Sequence, residues 1–515
     1  MIKRKIFIGS ILLLTMALSA CQKETIVLEG MEVETIEAEN ALSLYETNLI
    51  HAERGSLAEF TTATQYELTL HMEEPYALIE GEENVTYWNN EDVALEEIYL
   101  RMFPNNSGDV MTANSRIFPN NSGDVMTVTS LMVNGEESDI ITDMENTALR
   151  IELTSPLEPG ENVQLEMTYS LAIPTDFGGN YGLFSYIDGI LALDQPYLII
   201  PVYDDEGWNV EVPPPNGDMI YADAAFFTVT VEAPVDLVIA ASGVQVAETE
   251  ESGMKTHTFV AGPVRDFYLA GSADYEVVTA MVGETLVSSY YHKDYKEGGE
   301  FALRVAVDAL ETFNERFGVY PYTELDIVST PMQAIGMEYS SVVAMGVQYY
   351  DPDTEFYGSD AFDLLQFGTA HEVAHQWFFN MVMSDQIDEP WIDEGMAQFL
   401  TALYFEDTFG AKEAKDYQDS WENRWERVSH EAMAVGLPVR DYGSTEYSAI
   451  IYGRAPIFIS TLRKTMGDEM FFDFLKALFE EYKWGIVTTE GYRDVAEEVC
   501  DCDLQAEFDE WVYPD

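Results

Sequence analysis

Two histidines one helical turn apart, His371 and His375, bracket Glu372, and after eighteen further residues comes Glu394. On a helix, positions i and i+4 share a face, so both imidazoles can converge on one ion. Glu372 points to one side, where it can reach water held by that ion. Eighteen residues suffice to end this helix, turn, and begin an antiparallel one facing the first. A catalytic zinc takes three protein ligands and keeps a fourth position open. His371, His375 and Glu394 make that set, and one Zn2+ per chain is expected, although such a set also accepts cobalt or manganese. A third histidine ligand would need Gly at 378 and His at 381, where this chain has Phe378 and Met381.

The chemistry follows from charge. Zinc would bring the pKa of bound water towards neutrality, with Glu372 as the base that takes its proton. The oxyanion formed by attack on a carbonyl needs a second partner. Tyr452, in Ile450-Ile-Tyr-Gly-Arg-Ala455, is the candidate, one of thirty tyrosines.

Around this motif the chain divides in two. From about Leu57 to Val277, short alternating runs such as Tyr66 to Leu70, Val163 to Met167 and Phe227 to Val231 are punctuated by Gly, Pro, Asn and Asp. That pattern predicts an antiparallel β domain over 56–278. From about Gly298 the apolar spacing turns helical. Helices are predicted over 301–317, 361–380, 394–405, 412–434, 450–465, 468–482 and 490–500, with a strand over 324–329. The fold class is therefore α+β and multidomain, with a mainly α-helical catalytic domain at 279–515. Within the β half, Phe103 to Thr112 recurs as Phe118 to Thr127. Its Pro-Asn-Asn-Ser-Gly composition is loop chemistry, so it reads as a tandem duplication in a surface loop, with one copy dispensable.

The ends and the charge suggest an address. Lys3, Arg4 and Lys5 precede an apolar run from Ile6 to Ala17, closed by Leu18-Ser19-Ala20-Cys21. Residues 1–20 read as a secretory signal, and the cysteine at the cleavage point makes it lipoprotein-like, with Cys21 lipidated. An extracytoplasmic protein, anchored to a bacterial membrane only through its N-terminal lipid, is expected. Residues 21–55 read as an acidic tether. Cys500 and Cys502, two residues apart, read as free thiols. Against 93 Asp and Glu stand 25 Lys and Arg, a formal charge of −68. Such a surface repels nucleic acid; the acids are spread along the chain and read as solubility, or adaptation to salt or acid.

With these motifs the chain resembles the membrane alanyl aminopeptidase (aminopeptidase N) family of gluzincin zinc metallopeptidases, from about residue 60 to the end. His-Glu-x-x-His, eighteen residues and Glu is the family's signature, and Asn380 and the run Trp391 to Ala397 also fit. The resemblance implies a thermolysin-like catalytic domain and peptide substrates. Gly336-Met337-Glu338-Tyr339 is similar to the family's Gly-x-Met-Glu-Asn segment. By that resemblance Gly336, Met337 and Glu338 bind substrate, Glu338 through the free α-amino group. Tyr452 falls at the transition-state tyrosine, with Tyr447 as a possible helper. The family's Gln-x-Glu, a second carboxylate for the amine, has no counterpart before Pro201; Asp194 or Asp204 could stand in for it. The chain looks like a short form without the C-terminal helical domain. Removal of N-terminal residues is the activity implied. A more open endo- or oligopeptide-releasing peptidase, or a non-catalytic peptide-binding lipoprotein, are the alternatives.

Overall fold

A computed structural model describes residues 38–106, 125–177, 180–212, 214, 216–356 and 358–514. Residues 1–21, read as a leader with Cys21, and most of the repeated segment lie outside these residues.

Strict alternation builds the β half. In Leu78–Trp88 and Asn162–Ala172 every second side chain is buried, which is the period-2 signature of a strand with one face on a core. Eight strands form the main sheet, in the order 244–251, 254–264, 225–234, 65–72, 78–88, 162–172, 126–133 and 136–137. All pairings are antiparallel except one: 65–72 runs parallel to 225–234. A four-stranded sheet (238–241, 269–272, 190–193, 184–187) and a three-stranded one (95–101, 148–157, 141–143) complete this half.

The second half opens on a five-stranded mixed sheet ordered 275–282, 285–292, 324–330, 342–346 and 336–339. Its first hairpin begins at Tyr275, so the boundary expected at 278/279 falls inside the strand Tyr275–Val282. Helix α1 (Lys296–Arg316) packs on this sheet, and α2 (Ala361–Ala374) packs on both α1 and α3 (Pro390–Phe409). There follow α4 (Ala411–Trp425), α5 (Ser444–Ala449), a π-helical turn at Ile450–Arg454, α6 (Ala455–Met466), α7 (Asp468–Tyr482), α8 (Thr489–Cys500) and α9 (Gln505–Trp511). Among the described residues no helix is long and apolar enough to cross a membrane.

Several expectations need correcting. Helix α2 stops at Ala374 rather than 380, because the Asn380 N–H turns back to the His375 carbonyl and Phe379 takes φ 141°. Helix α4 stops at Trp425 rather than 434; Ser429 and His430 both adopt φ 55°, which no right-handed helix accommodates. Residues 38–59, largely assigned to the tether, carry two 3-10 helices that bury Tyr45, Leu49 and Leu57. The Ile50 N–H donates to the Pro321 carbonyl and the Thr323 N–H to that of Asn48, so this stretch is stitched to the catalytic half. Cys500 and Cys502 form a disulfide instead of standing free. Asp501 is left-handed (φ 49°) and folds the chain back at the end of α8, bringing the two Cα atoms to 5.1 Å, within bonding range.

Two buried residues join the halves. The guanidinium of Arg265, almost wholly buried, donates to the carbonyls of Ala222, Asn380, Met381 and Gly485 at 2.7–3.3 Å. Beside it, the Asp266 carboxylate accepts the Ser340 N–H at 2.8 Å, while its second oxygen is buried without a partner. Burial pushes Asp266 up to about 6, against the opposing pull of the Ser340 bonds. The folded state therefore holds this proton more tightly than the unfolded chain does. The associated stability is complete below about pH 4 and is lost as pH rises through 6, a change of roughly 3 kcal/mol at most. Asp266→Asn is expected to flatten that part of the stability profile between pH 4 and 6, as measured by urea unfolding at each pH. An unchanged slope would show that the buried carboxylate does not titrate with folding.

Candidate active site

Because α2 and α3 face each other, His371, His375 and Glu394 converge. His371 Nε2 and His375 Nε2 are 3.3 Å apart, and Glu394 Oε2 lies 3.1 Å from the first and 3.7 Å from the second. Donors held about 2.0–2.1 Å from a tetrahedral zinc sit about 3.3 Å from one another. The three atoms thus already have the spacing that such an ion demands, and all three residues are buried. The remaining ring nitrogen of each histidine faces protein. His375 Nδ1 is 2.7 Å from Asp393 Oδ1 and 3.1 Å from the Phe378 carbonyl, and His371 Nδ1 is 3.4 Å from the Gln398 amide. For His375 the two acceptors at Nδ1 leave Nε2 as the free lone-pair atom, the role outer partners play around metal ligands. Burial alone would raise Glu394, but the His371 and His375 imidazoles beside it hold it well below the carboxylate range, ionised as a ligand must be.

Glu372 lies on the same helix, next to His371. Burial pushes it up to about 7 despite the opposing pull of His371 and His375. Its carboxylate rests against Gly336. A Cβ there would meet Glu372 Oε1 at 2.5 Å, so only glycine leaves this carboxylate its place. The hydroxyl of Tyr452 reaches in from the π-helical turn and donates to Glu394 Oε1. Such turns insert one extra residue into a helix and recur at functional sites. Here it follows α5, whose start is held by the Gly443 N–H donating to Glu446 Oε2 at 2.7 Å. Tyr447 lies one ring away, centroids 5.9 Å apart, its hydroxyl buried without a protein partner.

A cavity of about 330 Å³ runs over this cluster, and Gly336, Met337 and Glu338 line it from the sheet's edge strand. Glu338 is buried and accepts from Gln386 Nε2 at 3.2 Å; the same amide donates to Asp393 Oδ2 at 2.7 Å. Burial, followed by the charges of Asp393 and Glu372, raises Glu338 well above the usual range. Across the cavity stands a carboxylate that no motif marked, Asp218, raised by burial and by Glu338 and Glu394. Its loop docks where the Ile220 N–H donates to Gln386 Oε1 at 2.9 Å. Asp194 and Asp204, the candidates for a second carboxylate, are not among the cavity's lining residues. Asp194 is buried near Tyr268 and Tyr339, and Asp204 accepts Asn209 Nδ2 and the Glu206 N–H within its own turn. Asp393 was missed as well; adjacency to the third ligand was its only sequence signal. Tyr339, where the resembled segment has Asn, stacks on Tyr268 at 4.0 Å.

Two imidazoles and one carboxylate that converge in this way form a donor set able to hold one metal ion. Residues 301–511 match the model for the peptidase family M1 domain. Among relatives, aminopeptidase M1-B of Oryza sativa subsp. japonica is 28% identical over 286 residues, covering 53% of this chain and 32% of the rice protein. Aminopeptidase M1 of Arabidopsis thaliana is 27% identical over 279 residues, 52% of this chain and 31% of its own length. The chain thus spans about a third of these relatives. A variant of the M1 zinc metallopeptidase of Deinococcus radiodurans superposes with TM-score 0.62 at 18% identity, covering 88% of this chain and 95% of that one. The same enzyme bound to a Tyr-Ser-Ala substrate gives TM-score 0.62 at 20% identity, covering 88% and 96%.

Proposed function

We propose that this chain is a zinc aminopeptidase that removes N-terminal residues from peptides outside the cytoplasm. The observation that supports this reading best is the pairing of Glu338 and Asp218 across the cavity that holds the ligand cluster. Two carboxylates raised by burial and by their neighbours' charge invite a cation between them, and a peptide's free α-ammonium is that cation. Held there, the first peptide bond lies over His371, His375 and Glu394. Zinc bound by these three would polarise the scissile carbonyl and acidify water. Glu372 takes the proton of the attacking water and returns it to the leaving amine. Tyr452 directs its hydroxyl to the developing oxyanion. Asp393 keeps His375 oriented throughout. The lipoprotein-like leader ending at Cys21 supports an extracytoplasmic, lipid-anchored setting.

The test compares aminoacyl-coumarin substrates with their N-acetylated forms. Acetylation is expected to lower kcat/KM by about 100-fold or more, the scale of unpairing a buried charge. Glu338→Gln should lower kcat/KM on the free amines by a similar factor. Equal rates on acetylated and free substrates would overturn the amine-anchoring role and point to internal cleavage.

A further inference from the structure

One cation lines the active-site cavity on the side of Tyr452: Arg424, from the last turn of α4. Its guanidinium lies over the Tyr452 ring, 5.3 Å from the centroid. Some cations of this acid-rich chain are paired: Arg463 grips Glu406 and Asp468, Arg316 holds Asp407, and Arg440 holds Asp388. What sets Arg424 apart is its place in the lining of this cavity. Among the described residues no carboxylate lies within 4 Å of Arg424, and its marked contact is the tyrosine face. A half-buried guanidinium left unpaired beside a catalytic cluster is a fork-shaped anion receptor, suited to two oxygens at once.

The cavity therefore carries the carboxyl groups of Glu338, Asp218, Glu372 and Glu394 and one guanidinium, that of Arg424. Resting on the aminopeptidase reading, we infer that the preferred substrates are short peptides, bound at both ends. The ammonium meets Glu338 and Asp218, and the free C-terminal carboxylate meets Arg424. The reach of the chain sets the length. The guanidinium sits 5.3 Å from the centre of the ring whose hydroxyl touches the ligand Glu394. An extended residue spans at most about 3.6 Å. One or two residues beyond the scissile bond therefore bring the carboxylate to Arg424, which defines dipeptides and tripeptides. Arg424 is a specificity-determining residue here, touching substrate but no reacting atom.

The experiment measures binding, so that it does not depend on turnover. The full chain, loaded with zinc and carrying Glu372→Gln to prevent hydrolysis, is titrated calorimetrically with leucylglycine and its tri- and tetrapeptide extensions. Each peptide is used as the free acid and as the C-terminal amide. The di- or tripeptide acid is expected to bind at least 10-fold more tightly than its amide, with the difference shrinking in the tetrapeptide. Adding Arg424→Gln should bring the acid-to-amide ratio to about 1 while moving the amide's own Kd less than about 3-fold; Arg424→Lys should restore part of the ratio. A ratio near 1 in the Arg424 protein overturns the proposal, even if the glutamine variant fails to fold. So does a glutamine variant that weakens acid and amide alike, since Arg424 would then serve only to hold Tyr452. Failure of the aminopeptidase reading is read separately, from N-acetylated versions of the same peptides binding as well as the free amines.

Discussion

Glu372→Gln is expected to lower kcat on aminoacyl substrates by about 10³–10⁴-fold, near the upper end of what general acid–base catalysis supplies, with zinc still bound at one per chain. Glutamine keeps the shape of the side chain that rests against Gly336, so the packing at 336 and 372 survives. What it loses is the capacity to accept a proton, and neither Glu394 nor Glu338 is placed to take over. Glu394 is held in its charged form by the two histidines, and Glu338 is buried and tied to Gln386. Metal analysis of the purified variant, alongside kcat, separates lost chemistry from a lost ion. A variant with full zinc that retains more than about a tenth of the parent rate would sink the assignment of Glu372 as the base.

Tyr452→Phe should produce the second largest loss, about 10²–10³-fold in kcat, in line with removal of one oxyanion donor, and KM should move little. The ring stays, and with it the contacts to Tyr447 and Arg424; only the hydroxyl directed at Glu394 goes. Burial and the Glu394 charge raise that phenol well above its usual range, so it remains protonated as a donor across the working pH range. A phosphinic peptide that mimics the tetrahedral state should lose affinity by a similar factor, whereas affinity for the ground-state peptide should hold. If KM rises and kcat does not fall, Tyr452 is a packing residue.

The parts of this site that could be read in the sequence are those whose geometry is local. His371 and His375 are neighbours because helices repeat, and Glu394 follows because a helix pair needs that many residues to turn. The β half was visible for a similar reason, since alternation shows in each strand by itself. Pairing is different: nothing in residues 65–72 announces a parallel partner at 225–234. Asp218 was invisible because its loop carries no periodicity and reaches the cavity only once the halves dock through Gln386. Tyr452, one of thirty tyrosines, stood out chiefly through the resemblance, and the π-helical turn that aims it has no signature that differs from the helical run around it. The end of α2 was misplaced because Phe378 and Phe379 continue an apolar pattern whose burial comes from a turn instead of a helix. The paired cysteines were misjudged because a single left-handed residue, Asp501, decides whether they meet.

The buried guanidinium of Arg265 sets a limit on how such an enzyme can be rebuilt. It belongs to the β half, yet it holds the backbone just beyond the second histidine ligand and a loop before α8. The β half also supplies Asp218 to the cavity. The helices that hold the metal ligands are therefore not a transplantable cassette. Moved to another scaffold without the sheet, they would leave three carbonyls, those of Asn380, Met381 and Gly485, without their shared donor, and a substrate pocket missing one wall.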